Sequence, residues 1–242
     1  MHSRRPFRGA VGGLALLMPV LAAHASSRPT VVELYTSEGC SSCPPAELYL
    51  GELAARPDVL ALSFHVDYWD ELGWRDPWAA RDFTARQKAY AHRLGLSSIF
   101  TPQAIVNGSE SYVGGDRNRI DTRLRTAVAG LPVLLKRDGG DFVIAVGSVP
   151  ESADILLLPF CRHVVSHIGR GENQGRTLEE FNVVRQVHRV GQVGSSAVEL
   201  RVPTAAVPKD ATDVAVLVQR VNGGEILGAA RLAVGSDLAE PR

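Results

Sequence analysis

The sequence predicts an α/β half followed by an all-β half, and three observations predict it. Short β-branched runs alternate with stretches of helical period as far as Gly130, in the order β-α-β-α-β-β-α. From Pro132 onward the helical period disappears and strand-like runs follow one another, separated by glycine turns. Cys40-Ser41-Ser42-Cys43 lies where the first strand gives way to the first helix.

Each element has a local reason. Residues 30–36, Thr-Val-Val-Glu-Leu-Tyr-Thr, are β-branched and aromatic and read as a buried strand bounded by Gly39. A helix follows over residues 41–55, its prolines in the first turn where a missing N–H costs nothing, with Leu48, Leu53 and Ala54 on one stripe and Pro57 beyond its end. Residues 59–66 form a second strand. After an aromatic loop carrying Tyr68, Trp69, Trp74 and Trp78, a second helix runs to about Leu94 and stops at Gly95. Residues 103–106 and 111–113 face each other across Asn107-Gly108, a strong hairpin signal. Ile120, Leu124 and Val128 then recur at helical spacing behind Asp116, a suitable N-cap. The second half holds runs at 133–136, 142–146, 155–158, 164–168, 183–190, 198–202, 214–221 and 226–232. Asp138-Gly139-Gly140 and Asn222-Gly223-Gly224 form turns among them, a pattern that suits an antiparallel sandwich.

Composition excludes several classes of function. The chain has 242 residues, 45% of them hydrophobic, with 26 Lys plus Arg against 26 Asp plus Glu. It is too apolar for a disordered chain and lacks the basic footprint of a nucleic-acid binder, so no nucleic acid is expected as partner. Arg4, Arg5 and Arg8, an apolar stretch over residues 10–22, and Ala23-His24-Ala25 read as an export signal peptide over residues 1–25. Ser3-Arg4-Arg5-Pro6-Phe7 also matches the twin-arginine export pattern, although paired arginines occur in ordinary leaders too. Cleavage after Ala25 leaves 23 cationic against 26 anionic side chains, a net charge of −3. No apolar run reaches about 18 residues, so no stable membrane insertion is expected after signal removal. The expected destination is periplasmic or secreted, an oxidising location.

The sharpest chemistry belongs to Cys40 and Cys43. At the start of a helix, Cys40 lies beside unpaired N–H groups and the positive end of the dipole, which favours its thiolate, and a partner at i+3 is close enough to form and break a disulfide. Zinc, a static bond and copper are the alternatives. A zinc site needs two more ligands. His163 and His167 have ligand spacing but share a predicted strand, and the third cysteine, Cys161, has no partner nearby. Copper would use Cys40, Cys43 and His65, soft thiolates with an imidazole. Thr101-Pro102 directly precedes the third strand. With this order of elements it resembles the cis-proline that faces the CxxC in thioredoxin folds, where the Thr101 backbone can pair with an extended substrate; the alternative is an ordinary loop proline.

Residues 32–46, Val-Glu-Leu-Tyr-Thr-Ser-Glu-Gly-Cys-Ser-Ser-Cys-Pro-Pro-Ala, carry a further likeness, together with Phe64-His65-Val66-Asp67-Tyr68-Trp69-Asp70, Leu72-Gly73-Trp74-Arg75-Asp76-Pro77, Tyr90 and Thr101-Pro102-Gln103. It continues through Gly171-Glu172-Asn173 to Asn182-Val183-Val184-Arg185. By these motifs the chain resembles the DUF1223 family of secreted thioredoxin-like proteins. The resemblance implies a thioredoxin-like domain with an additional β-rich region, export and a thiol-disulfide role; the pattern of elements sets the thioredoxin-like domain at residues 26–130 and the C-terminal all-β sandwich-like domain at residues 131–242. Unlike ordinary thioredoxins, this chain lacks Trp-Cys-Gly-Pro-Cys, has two serines between its cysteines and carries an enlarged aromatic insertion.

The expected function is therefore a periplasmic thiol-disulfide oxidoreductase. Cys40 is its exposed nucleophile, Cys43 resolves the mixed disulfide, and Thr101 and Pro102 hold the substrate strand. Its partners are protein thiols or disulfides and a redox partner protein, and the chemistry requires no cofactor. Glu33, in the first strand, is either the buried acid that moves the proton of the second cysteine or a satisfied or exposed strand carboxylate. His65 and Asp67, at the carboxyl end of the second strand, either tune Cys40 or fix the aromatic loop. The four aromatic residues form a substrate rim or a satellite core. Cys161 reads as a buried small hydrophobe, residues 171–175 as a turn without catalytic function, and Arg117, Arg119, Arg123 and Arg125 as a solvent face.

Overall fold

The structure, a computed structural model, describes residues 29–126 and 130–235. The predicted signal peptide and Val128 lie outside the described residues. The first half follows the expected order: β1 (Thr30–Thr36), α1 (Pro44–Ala54), β2 (Val59–His65), a 3-10 turn at Asp67–Leu72, α2 (Arg81–Arg93), β3 (Gln103–Val106), β4 (Glu110–Val113) and α3 (Arg117–Leu124). Strands β5 (Val133–Asp138), β6 (Asp141–Val146), β7 (Ala153–His167), β8 (Thr177–Val184), β9 (His188–Val193), β10 (Val198–Pro203), β11 (Asp213–Arg220) and β12 (Ile226–Ala233) follow.

Alternation along β1 and β2 sets the layers. Val31 and Tyr35 of β1, with Leu60, Leu62 and Phe64 of β2, face Phe83 and Tyr90 of α2. Val32, Leu34, Val59 and Ala61 face the other way, against Ala46, Leu50 and Leu53 of α1 and Ile120 and Leu124 of α3. Each such fully buried aliphatic side chain stabilises the fold by roughly 1.5–3 kcal/mol relative to exposure. The stripe assumed for α1 is shifted: Leu48 is exposed, and Ala46, Glu47, Tyr49, Leu50 and Leu53 are buried. Asn107 and Gly108 both take positive φ, 48° and 65°, in the three-residue loop 107–109 between β3 and β4, where Ser109 N donates to Val106 O at 3.0 Å.

The second half does not close on itself. One nine-stranded mixed sheet runs β12-β11-β7-β8-β2-β1-β3-β4, with β9 also pairing β7, while β10, β6 and β5 form a second, antiparallel sheet. The expected sandwich is present as two packed leaves: Phe142, Ile144 and Val146 of β6 meet Ile155 and Leu157 of β7 and Val214, Val216 and Val218 of β11. One of those leaves, however, is the sheet that carries β1 and β2. The reason lies in the sequence of β7 and β11, where the intervening residues Leu156, Leu158, Phe160, Ala215 and Leu217 are apolar too and join the α2-side core. Strands buried on both faces belong inside a sheet flanked on both sides. β8 joins β2 in parallel at Ser63 and Val183, and the Asn182 side-chain amide donates to the Ala61 carbonyl at 2.8 Å.

The two runs predicted at 155–158 and 164–168 are one 15-residue strand despite Pro159. Pro159 accepts from Arg185 N at the place where the neighbour of β7 changes from β9, ending at Leu157, to β8, beginning at Phe160. Its missing N–H falls in the gap between two partners.

Candidate functional site

The site forms where β1 ends and α1 begins. Cys43 is the N-cap residue of α1, with no side-chain capping bond, and Pro44 and Pro45 fill the first turn. The backbone doubles back on itself in two tight turns: Cys40 N donates to Ser37 O at 3.1 Å and Cys43 N to Cys40 O at 3.2 Å. This brings the two Cα atoms within 5.4 Å, and the cysteines are joined as a disulfide. The Ser42 hydroxyl lies 3.3 Å from Cys40 Sγ.

The cysteines were expected to present an exposed nucleophile, and here the structure corrects the sequence: Cys40 is 0% and Cys43 1% exposed. The cover comes from residues assigned no function in the sequence. The loop between β7 and β8 reaches over the disulfide turn, where the Asn173 side-chain amide donates to Glu38 O and Cys40 O, at 2.9 and 3.0 Å, and Glu172 accepts from Ser41 N at 3.1 Å. The same loop packs on the aromatic insertion. Gly171, at φ 78°, sits so close to Trp74 that a Cβ there would stand 3.1 Å from the Trp74 Cβ.

The aromatic residues hold this turn from the other sides. A Cβ on Gly39 would stand 3.3 Å from the Trp69 Cβ, and Trp69 Nε1 donates to Thr101 Oγ1 at 2.8 Å. One indole thus links the cysteine turn to the residue before Pro102. The Thr101–Pro102 peptide is cis, and Pro102 is buried beside Gly114, whose N–H donates to Pro102 O at 2.8 Å. Trp74 Nε1 donates to Glu38, and Trp78 lies under the Arg185 guanidinium at 4.5 Å.

Behind the disulfide lies a buried polar cluster. His65 Nδ1 is 2.7 Å from Asp76 Oδ2, and its Nε2 is 3.8 Å from Glu180 Oε1. Ser63 donates to Glu47 at 2.7 Å, and Glu38 N donates to Asp76 at 2.9 Å. All of these side chains are less than 5% exposed. Burial alone would depress the His65 pKa, but Asp76 and Glu180 outweigh it and push it up to about 10. Burial, opposed by His65 and reinforced by Glu47, Glu38 and Asp76, pushes Glu180 up to about 8. Glu38 and Glu47 are raised as well, chiefly by burial. Asp76 is held low: His65 and three hydrogen bonds overcome its desolvation. The cluster therefore holds one ion pair, His65 with Asp76, among carboxyls whose neutral form burial favours. Its sequence signal is Ser63 and His65, two polar residues on one face of an otherwise apolar strand.

The family model described as Protein of unknown function (DUF1223) matches residues 31–219. The chain belongs to the DUF1223 family. The crystal structure of protein AGR_C_4864 from Agrobacterium tumefaciens is similar to this DUF1223 chain, with 33% sequence identity, a TM-score of 0.77, and coverage of 88% of this chain and 97% of that one. The comparison with curated proteins returns no match.

Other expected site residues of this DUF1223 protein lie elsewhere. Glu33 shares the α2 face of β1 with Val31 and Tyr35, not the α1 face. There it pairs with Arg86 at 2.8 Å and accepts from the Tyr90 hydroxyl at 2.5 Å, so its charge is neutralised by α2. The copper set of Cys40, Cys43 and His65 is not assembled: among the described residues no group of three or more His, Cys, Asp or Glu side chains is arranged to hold a metal ion, and Asp76 occupies His65 Nδ1. Asp67 accepts from Thr84 Oγ1 in the 3-10 turn. Cys161 is buried and donates to Asp210 O at 3.2 Å, with its thiol pKa raised chiefly by burial. Arg117 and Arg123 pair with Glu52 and Glu110 on the surface. Among the described residues no helix is long and apolar enough to cross a membrane.

Proposed function

We propose that this protein is an exported thiol-disulfide oxidoreductase that acts on protein thiols through Cys40 and Cys43. The observation that carries the reading is the disulfide between two cysteines one turn apart at the head of α1. Two further observations support it. Trp69 ties the cysteine turn to Thr101, next to the cis Thr101–Pro102 peptide, and β1, α1, β2, α2, β3, β4 and α3 follow in thioredoxin order. In this reading a substrate thiolate attacks Cys40 Sγ, Cys43 leaves, and the substrate lies extended against the Thr101 backbone as an added strand. Because Cys40 is covered, substrate binding includes displacement of the Glu172-Asn173 loop, whose bonds hold Glu38, Cys40 and Ser41 while Cys43 stays packed at the head of α1. In this reading residues 1–25 are an export leader and the protein works in the periplasm or outside the cell, where such chemistry has oxidised and reduced clients.

Trapping tests the reading. Cys43→Ala, expressed in the native host, accumulates proteins covalently held by Cys40 and released by dithiothreitol, and the adducts vanish in Cys40→Ala. If purified, folded protein neither loses its disulfide to dithiothreitol nor yields adducts, it is not an oxidoreductase.

A further inference from the structure

The carboxyls behind the disulfide have an arrangement that packing alone does not require. A small cavity of about 10 Å³, lined by Cys43, Glu47, Glu180, Thr36 and Ser37, lies directly behind the second cysteine. That is about the space one water molecule needs. Ser63 holds one oxygen of Glu47, while Glu47 Oε2 and Thr36 Oγ1 are buried without a hydrogen-bond partner of ordinary geometry among the described residues. Glu180 is fixed from behind by Ser166, at 3.2 Å, and faces His65. Cys43 itself is sealed from solvent, so a proton that it gains or loses must pass through protein groups.

We propose that Glu47 and Glu180 hold the proton that Cys43 takes up when the disulfide opens and gives back when it closes. This rests on the redox reading above. In the opening step a thiolate of a protein dithiol attacks Cys40 Sγ. The bond from the substrate sulfur to Cys40 forms, the Cys40–Cys43 bond breaks with its electron pair going to Cys43, and the neutral carboxyl protonates the departing thiolate and becomes a carboxylate. The second substrate thiol then displaces Cys40, which leaves the substrate oxidised and both cysteines reduced. Run backwards, the carboxylate removes the proton of Cys43 and makes it a nucleophile. His65, locked to Asp76, is the positioning charge that stabilises the carboxylate when it forms. The other acids around the site are Glu38, which bonds Trp74, and Glu179, at the cavity rim.

The test is the pH profile of disulfide reduction. Oxidised full-length protein is reduced by dithiothreitol, at concentrations where the rate is first order in reagent, from about pH 5 to about pH 9, and each rate is divided by the thiolate present. The expected wild-type profile is level on the acid side and falls as pH passes about 8, where Glu180 gives up its proton. Glu47→Gln and Glu180→Gln, checked for wild-type circular dichroism, lower the level part about tenfold or more and shift or abolish the fall. A corrected wild-type rate that stays level throughout overturns the proposal without any variant, as do two folded variants that keep the wild-type profile. Failure of the redox reading looks different: the wild-type disulfide then resists reduction at every pH.

Discussion

The side-chain amide of Asn173 donates to the carbonyl oxygen of Cys40 at 3.0 Å, across 133 residues of chain. A second bond to Glu38 O makes the same amide a two-point clamp on the turn that carries the disulfide. Asn173→Ala leaves two buried carbonyls without this donor, at a cost of about 1–3 kcal/mol. At about 2–4 °C per kcal/mol for a chain of this size, Tm falls by several degrees. The disulfide also opens more readily, so dithiothreitol reduces it several-fold faster. Unchanged reduction kinetics at a lowered Tm would show that the clamp stabilises the fold without guarding the sulfurs.

Glu33 and Arg86 form a buried ion pair that gives the opposite signature. Arg86→Met strands the Glu33 carboxylate with only the Tyr90 hydroxyl as partner, and loss of one member of a buried pair costs about 3–5 kcal/mol. Adding Glu33→Gln removes the stranded charge and recovers part of the loss. Because this network lies on the α2 face, neither variant moves the reduction potential. Denaturant midpoints and glutathione redox titrations measure the two effects separately, and a shifted potential with little loss of stability would restore Glu33 to the redox site.

What the sequence could and could not disclose follows from the range of each interaction. Strand β1, the proline-started helix α1 and the Asn107-Gly108 hairpin rest on local preference, and they were legible. Cys40, Cys43 and the cis Thr101–Pro102 peptide were legible from spacing and order. The pairing of β8 with β2 was not, because it depends on one parallel bridge and the Asn182 side chain, neither of which leaves a periodic trace. Glu172 and Asn173 read as turn residues because turn chemistry and capping of a distant loop use the same side chains. Glu33 stayed open between a redox acid and a satisfied strand carboxylate because strand position alone does not announce an arginine arriving from α2.

The His65 cluster makes stability depend on pH in a definite direction. Glu180 goes from an ordinary 4.5 to about 8 on folding, and His65 from 6.5 to about 10. In both cases the folded state keeps a proton that the unfolded chain has already released, so stability declines as pH rises through these windows. The Glu180 contribution is fully present below 4.5 and is lost as pH passes about 8; that of His65 is fully present below 6.5 and lost as pH passes about 10. Asp76, whose pKa is lowered, acts on the other limb: its contribution is present above the ordinary 3.8 and disappears in stronger acid. Tm measured against pH therefore peaks in mild acid. Glu180→Gln flattens the decline below about pH 8 and brings the His65 limb to lower pH, since Glu180 is one of the charges that raises it. A Tm that climbs steadily from pH 5 to 8 would contradict this protonation scheme.

Gly114 and Gly115 provide a matched pair for testing what Pro102 does. A Cβ on Gly114 would lie 2.6 Å from Leu34 Cδ1, 2.9 Å from the Pro102 Cβ and 3.3 Å from the Ala46 Cβ, whereas one on Gly115 meets nothing within 4 Å. Neither has the positive φ that would strain an alanine, so space alone separates them. Leu34 can turn aside, but Pro102 is a closed ring and Ala46 is fixed in α1. Gly114→Ala therefore pushes Pro102 away from the helix that begins at Cys43, and overpacking of this kind costs about 1–3 kcal/mol. Gly115→Ala changes stability by less than about 0.5 kcal/mol. If the Pro102 shelf holds an extended substrate, trapping of protein adducts by Cys43→Ala drops sharply when Gly114→Ala is added, while reduction by dithiothreitol, which needs no shelf, changes little. Equal losses with the small reagent and with protein clients would mean that the shift disturbs the disulfide itself and that the shelf binds no substrate.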